Sequence, residues 1–216
     1  MKLIKPSYII ESGLDIKLLR NLERIGRVCY KSEEKITEES AKTFITMLLQ
    51  QGHESVIEHA LITVRFICDR GVSHELVRHR LASFSQESTR YCNYKGGVEF
   101  IIPEWVAIAP GSYEGRDYYK TISEDTTNLI WFCSMLNAEV DYERLLTKGW
   151  TPQQARSVLP NSTKTEIVVS ANLREWRTIF KQRTSKAAHP QMRELMCPLL
   201  DNLKELVPII FDDITY

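Results

Sequence analysis

The sequence predicts an α/β chain, α+β-like in character, with a mixed sheet and flanking helices. Short stretches with a period of two alternate along it with longer stretches at helical spacing, and no apolar run approaches a membrane span. It contains no internal repeat, low-complexity tract or evident linker, so residues 1–216 read as one domain.

The elements follow in order. Residues 8–11 suit a short strand. From Leu14 to Val28, the residues Ile16, Leu18, Leu19, Leu22, Ile25 and Val28 recur at helical spacing. Thr37, with Glu38 and Glu39 behind it, opens a second helix that runs through Leu49 to a cap at Gly52. Ile62, Val64, Phe66 and Cys68 alternate with polar residues as in a half-buried strand, and a short helix follows from Ser73 to Arg80.

Residues 84–92 read as irregular. Gly96-Gly97 turns the chain into a strand over 98–102, which Pro103 ends, and a loop runs to Gly115. Arg116 to Lys148 is the longest helical pattern, with Ile122, Leu129, Ile130, Cys133, Leu136, Val140 and Leu145 as its expected core face. Thr151-Pro152-Gln153-Gln154 is a compact helix start that Pro160 closes. A strand over 166–170 and helices over 173–182 and 188–206 complete the pattern.

Composition narrows the function classes. The apolar fraction of 43% and the charged fraction of 26% are globular values. Lysine plus arginine equals aspartate plus glutamate at 28 each, so no global field favours nucleic acid or an anionic membrane. Any anion site must therefore be local. The five cysteines are scattered without a CxxC pair, which argues against a disulfide framework or a zinc knuckle and fits a reducing cytoplasm. Met1 to Pro6 carries no signal-peptide pattern.

Several motifs are absent: there is no GxGxxG and no GxxxxGK. His74 and His79 imitate a zincin pair, but five residues turn a helix through an offset of about 140°, so no metal is expected there. What stands out is Arg78-His79-Arg80 followed by Ser83, Ser85, Gln86, Ser88 and Arg90, with no acid before Glu87. In a chain of zero net charge this is a local trap for phosphate or carboxylate, because guanidinium forks match those oxygens. His79 buried beside cations should stay neutral. Arg174, Arg177, Lys181, Arg183 and Lys186 form a second basic group, and His53 to His59 a third polar one. Read singly, each has a plain structural role as a solvated face or a cap.

Arg78-His79-Arg80-Leu81-Ala82-Ser83, running on through Ser88-Thr89-Arg90-Tyr91, resembles the signature segment of flavin-dependent thymidylate synthases. His53-Glu54-Ser55 with Glu58-His59, Ala155 to Pro160, Asn172-Leu173-Arg174 and Arg183 to Ala188 are similar to blocks of that family in the same order. The resemblance runs from about residue 50 to about 195 and implies that family's α/β fold, a homotetramer and FAD where subunits meet. The implied reaction is reductive methylation of dUMP to dTMP, with 5,10-methylenetetrahydrofolate as carbon donor, NADPH as reductant and tetrahydrofolate released.

The same resemblance implies site residues. His53, Ser55, Glu58, Arg78, His79, Arg80, Asn172, Arg174 and Thr178 would serve FAD. Glu75, Leu76, Arg78, Gln86, Glu87, Ser88, Thr89, Arg90, Arg156 and Arg183 would serve dUMP, with Arg183 the catalytic group that favours ionisation of the uracil N3–H. No side chain is expected to attack dUMP. Glu75 stands where the family usually has glutamine, Thr178 where asparagine is frequent, and Ala187 where many members carry a histidine whose role is not carried onto His189. Another class of reading is a binding module for phosphate-rich ligands, and another enzyme reading is a flavoprotein acting on a different pyrimidine.

Overall fold

The computed structural model describes residues 1–15, 17–114 and 126–216. Its strands are β1 Lys2–Ile4, β2 Ser7–Ser12, β3 Leu61–Asp69, β4 Ala82–Gln86, β5 Glu99–Ile101, β6 Gly111–Ser112 and β7 Lys164–Asn172. The described helices are α1 Leu18–Val28, α2 Ser40–Gln50, α3 Arg70–Leu76, α4 Thr126–Thr147, α5 Pro152–Ala155, α6 Leu173–Arg183 and α7 Pro190–Leu206, with 3-10 turns at Glu33–Lys35, Glu54–His59 and Arg156–Val158. One sheet has the order β5-β1-β6 and the other β2-β3-β7-β4. The expected α/β class holds, and the first sheet is mixed, since β1 runs parallel to β5 and antiparallel to β6.

Two compact units emerge. The first comprises Met1–Ser7, Phe66–Arg78 and Ser85–Ile167, and the second Tyr8–Arg65, His79–Phe84 and Val168–Tyr216. In the first, Leu3, Val98, Phe100 and Ile102 pack with Phe132, Met135 and Tyr142 into one apolar core. The fully buried face of α4 is Asn128, Phe132, Met135, Glu139 and Tyr142; of the stripe expected from the sequence, Cys133, Leu136 and Leu145 pack half-buried against the core, whereas Ile130 is exposed. The reason is that polar groups hold that face inward. Glu139 accepts from the Val98 amide at 2.8 Å and pairs with the N-terminal ammonium at 2.7 Å, while Asn128 accepts from the Ala107 amide at 3.1 Å. The first part of the expected long helix, with Ile122, lies outside the described residues, as does Ile16.

In the second unit α1 packs on α2, and α6 packs on α7 and on the 54–59 turn. Trp176 is fully buried, donates to the Ile62 carbonyl at 3.0 Å and stacks on Phe180, whose edge meets Phe211. Helix α2 begins at Ser40 rather than Thr37, because the Ser40 hydroxyl accepts from the Thr37 amide and donates to the buried Glu23 of α1. Gly13 and Gly52 both have positive φ, +105° and +71°. A Cβ on Gly13 would lie 2.2 Å from the Leu61 carbonyl oxygen, whereas one on Gly52 meets nothing within 4 Å. Gly13→Ala should therefore cost about 3 kcal/mol, combining backbone strain with the clash, and Gly52→Ala only about 1 kcal/mol. Equal shifts of the urea midpoint in the two variants would contradict this contrast.

Three further boundaries differ from expectation. Helix α3 starts at Arg70 because Asp69 caps it, accepting from the Val72 amide at 2.8 Å. Ser73 sits inside this helix, donating to the Arg70 carbonyl at 3.0 Å, so Arg78-His79-Arg80 lies beyond the helical end. Of residues 84–92, read as irregular, 84–86 belong to strand β4, and Gly111–Ser112 forms β6 inside the expected loop. Among the described residues no helix is long and apolar enough to cross a membrane.

Candidate functional site

The expected site residues fall into two groups, one in each unit. In the first unit the β4 strand delivers Gln86 to Arg90. Gln86 donates to the Ser73 hydroxyl at 2.9 Å and to the Thr165 hydroxyl at 3.2 Å. Glu87 accepts from the Tyr94 hydroxyl at 2.6 Å and from Lys164 at 3.2 Å, and its own amide donates to the Glu166 carbonyl. Burial, then the bond to Glu87, pushes the Tyr94 hydroxyl up beyond its ordinary range. These bonds anchor the turn that follows. Ser88 opens that turn, its hydroxyl accepting from the Arg90 amide at 3.3 Å, while the Arg90 side chain is exposed.

Buried Thr89 accepts from the Arg156 guanidinium at 3.0 Å. Both line a cavity of about 540 Å³ together with Arg70, His74 and Asn161, and no acidic side chain is among the described residues around it. Arg70 Nη1 is buried without a hydrogen-bond partner. Arg70 and His74 are absent from the expected set. Only their place just after an apolar strand, on a helix capped by Asp69, marks them in the sequence. Of the remaining expected residues in this unit, Glu75 is half-buried, Arg78 is exposed, and Leu76 is buried in the core.

The second unit gathers the other group around α6. Asn172 caps the helix, accepting from the Glu175 amide at 2.8 Å. Exposed Arg174 pairs with exposed Glu58 at 2.6 Å, and the Thr178 hydroxyl donates to the Arg174 carbonyl at 3.3 Å. His53 Nδ1 lies 3.1 Å from the Tyr30 hydroxyl, and Ser55 and Arg80 are exposed. Arg177, part of the basic group read as an exposed face, is instead buried and binds Glu54, Asp213 and the Ile210 carbonyl. The donor chemistry of Ser55, Arg80, Arg174 and Thr178 fits a flavin pyrophosphate, because an exposed ion pair such as Arg174 with Glu58 is weak and exchangeable.

His79 and Arg183 do meet. Arg183 Nε donates to His79 Nε2 at 2.9 Å, and His79 is only 6% exposed. Burial first, and the Arg183 charge second, lower the imidazole to about 4 from 6.5. The neutral state expected from the sequence is thus present, with burial as the main cause and Arg183, not Arg78 or Arg80, as the neighbouring cation. Glu175 faces the other ring nitrogen. Since the unfolded chain takes up the His79 proton near pH 6.5 and the folded chain only near 4, stability falls as pH drops through that window, by up to about 3 kcal/mol. His79→Asn should flatten the pH dependence of unfolding between these limits. An unchanged profile would contradict the buried neutral state.

Among the described residues no group of three or more metal-ligating side chains is arranged to hold an ion, and all five cysteines are free. Burial pushes the Cys68 and Cys197 thiols up.

Comparison with known proteins adds the family. Residues 18–209 match the model described as thymidylate synthase complementing protein. The chain is 33% identical over 199 residues to a flavin-dependent thymidylate synthase of Corynebacterium aurimucosum, covering 89% of this chain and 78% of the relative. It is 34% identical over 187 residues to the enzyme of that name from Pyrococcus abyssi, covering 83% and 70%. Among solved structures, Thymidylate Synthase X from Helicobacter pylori with FAD and dUMP superposes with a TM-score of 0.75 at 23% identity, covering 96% of this chain and 98% of that one. The UMP/dUMP methylase PolB of Streptomyces cacaoi, bound with 5-Br UMP, gives 0.74 at 22%, covering 98% and 95%. At such identities these two likenesses concern the fold.

Proposed function

The chain belongs to the flavin-dependent thymidylate synthase family, and from that premise we propose that it reductively methylates dUMP to dTMP, with residues 1–216 acting as one functional domain. Methylenetetrahydrofolate donates the carbon, NADPH is the reductant, and tetrahydrofolate leaves. Once bound and reduced by NADPH, FAD would supply the hydride. The chain's own residues bind, orient and polarise.

The observation that carries this reading is the basic cavity beside Thr89, where Arg156, Arg70 and His74 gather without an acidic side chain. Such a site favours the phosphate dianion of a nucleotide, because forked guanidinium donors match its oxygens. Ser88 and Arg90 add donors from the turn after β4, with Arg78, Glu75 and Leu76 completing the nucleotide set. Gln86 and Glu87 hold that turn in place. Ser55, Arg80, Arg174 and Thr178 serve the flavin pyrophosphate, and His53, Glu58 and Asn172 frame it. Arg183 is the catalytic residue, placing its charge against the uracil so that the N3–H ionises and ring electron density rises.

No protein nucleophile takes part. Burial pushes the Cys68 and Cys197 thiols up, which makes those two poor nucleophiles, and the hydrogen bond given for the Ser88 hydroxyl is one it accepts from the Arg90 amide, so that bond brings it no base. The assembly is a homotetramer in the cytoplasm, with FAD at subunit junctions. The purified protein should bind FAD, shift its visible spectrum on dUMP addition and scatter light as a tetramer. Colourless protein that takes up no added FAD, or an active monomer, would overturn the corresponding part. Mixing inactive Arg78→Ala and Arg183→Ala subunits should restore activity if one site uses both chains.

A further inference from the structure

We propose that His79 and Glu175 are positioning residues for Arg183, which they hold through one imidazole placed between the two ends of α6. This rests on the catalytic assignment of Arg183 made above. Glu175 stands in the first turn of α6 and Arg183 at its last residue, about 12 Å apart along the axis, too far for direct contact. The His79 ring bridges that gap, with Nε2 at 2.9 Å from Arg183 Nε and Nδ1 at 3.7 Å from Glu175 Oε1.

The chemistry of the ring makes the arrangement directional. Because Nε2 accepts from a guanidinium, it carries no proton, and the neutral ring must carry its proton on Nδ1. That N–H dipole faces the Glu175 carboxylate at a distance longer than a hydrogen bond but short enough for electrostatic attraction inside a buried site. Glu175 and His79 are 7% and 6% exposed. The Asn172 side chain fixes the Glu175 amide at 2.8 Å, so the acceptor end is tied to the helix cap. A guanidinium held through Nε has its plane fixed relative to its stem. A long arginine at a helix end would otherwise sample many rotamers, and its direction toward a substrate would be lost.

Burying a carboxylate beside a neutral imidazole is costly for stability alone, and burial raises the Glu175 carboxyl. Purely structural roles for both residues are served as well by apolar side chains of similar size. That contrast supplies the test.

With FAD saturating, dTMP formation and FAD affinity should be measured separately for Glu175→Leu, Glu175→Gln and His79→Phe, each alone and combined with Arg183→Ala. Glu175→Leu and His79→Phe should lower kcat by roughly 10²-fold, more than they weaken FAD binding. Glu175→Gln, which keeps an acceptor, should restore most of the loss. In the Arg183→Ala background neither change should lower turnover further, because each acts through that guanidinium. Full kcat in Glu175→Leu, or losses that simply multiply with Arg183→Ala, would overturn the inference. Arg183→Ala with near-normal turnover would instead overturn the catalytic assignment and this inference with it. If His79→Phe fails to fold, the Glu175 pair decides the question alone.

Discussion

Arg183→Ala should lose dTMP formation by roughly 10²- to 10³-fold in kcat while retaining most FAD affinity. The magnitude follows from the environment. Arg183 is half-buried and held by His79 at 2.9 Å, so its charge is aimed before substrate arrives and needs little reorganisation during the reaction. Removing a preorganised donor removes stabilisation that grows as negative charge develops on the uracil ring, and the effect appears in kcat more than in KM. Arg183→Lys should recover little, because a point charge lacks the Nε that His79 accepts from. Steady-state kinetics with a parallel flavin-binding titration separate the two effects. Near-normal turnover and dUMP affinity in the alanine variant would remove Arg183 from the site.

The largest expected loss of stability belongs to Arg177→Met, at about 3–5 kcal/mol. The guanidinium is 4% exposed and grips both oxygens of Asp213 at 2.6 and 2.7 Å, Glu54 at 3.1 Å and the Ile210 carbonyl. Methionine fills similar space but leaves the Ile210 carbonyl without this donor and the half-buried Glu54 carboxylate with only the exposed Arg174 at 3.6 Å, and poorly paired buried acceptors are expensive. Arg177→Lys should rescue only part, since one ammonium cannot fork across Asp213. The bond from Arg177 holds the Asp213 carboxyl below its usual range, so this contribution is present at neutral pH and is lost as pH falls through the lowered folded value. Urea unfolding monitored by tryptophan fluorescence gives the loss directly, and a change under about 1 kcal/mol would show that the network adds little.

Much of the fold was legible because local periodicity and punctuation carry it. The alternation over Ile62 to Cys68 marked β3 correctly, since every second side chain there is fully buried. Thr151-Pro152-Gln153-Gln154 did start a helix, with Gln154 Oε1 accepting from the Thr151 amide at 2.9 Å. By contrast β4 escaped notice. Its exposure alternates, yet Ser83, Ser85 and Gln86 are polar, so its backbone bonds and not an apolar stripe make it a strand. The stripe of α4 was only partly placed, because the fully buried face includes Glu139 and Asn128, which accept from amides far away in sequence, while the expected Cys133, Leu136 and Leu145 lie at its flank. The first basic cluster was visible as a sequence pattern, whereas Arg70 was not singled out and His74 was read only against a metal pair, so both became candidates for an anion site only as the walls of a cavity.

The sequence by itself determined the class of the chain, the order of most elements, the absence of a global charge bias and the family blocks that name the chemistry. All of these are properties of neighbours a few residues apart or of composition, and a linear text records such things. Tertiary structure decided which charged group meets which. Arg183 and His79 stand 104 positions apart, and Arg177 reaches Glu54 across 123, so no local spacing foretold either bond. It also decided that Arg177 is structural while Arg183 on the same helix faces the imidazole. Both are arginines on the same helix, six residues apart, and their difference lies in what the fold packs against each one: carboxylates and a carbonyl in one case, a buried imidazole in the other.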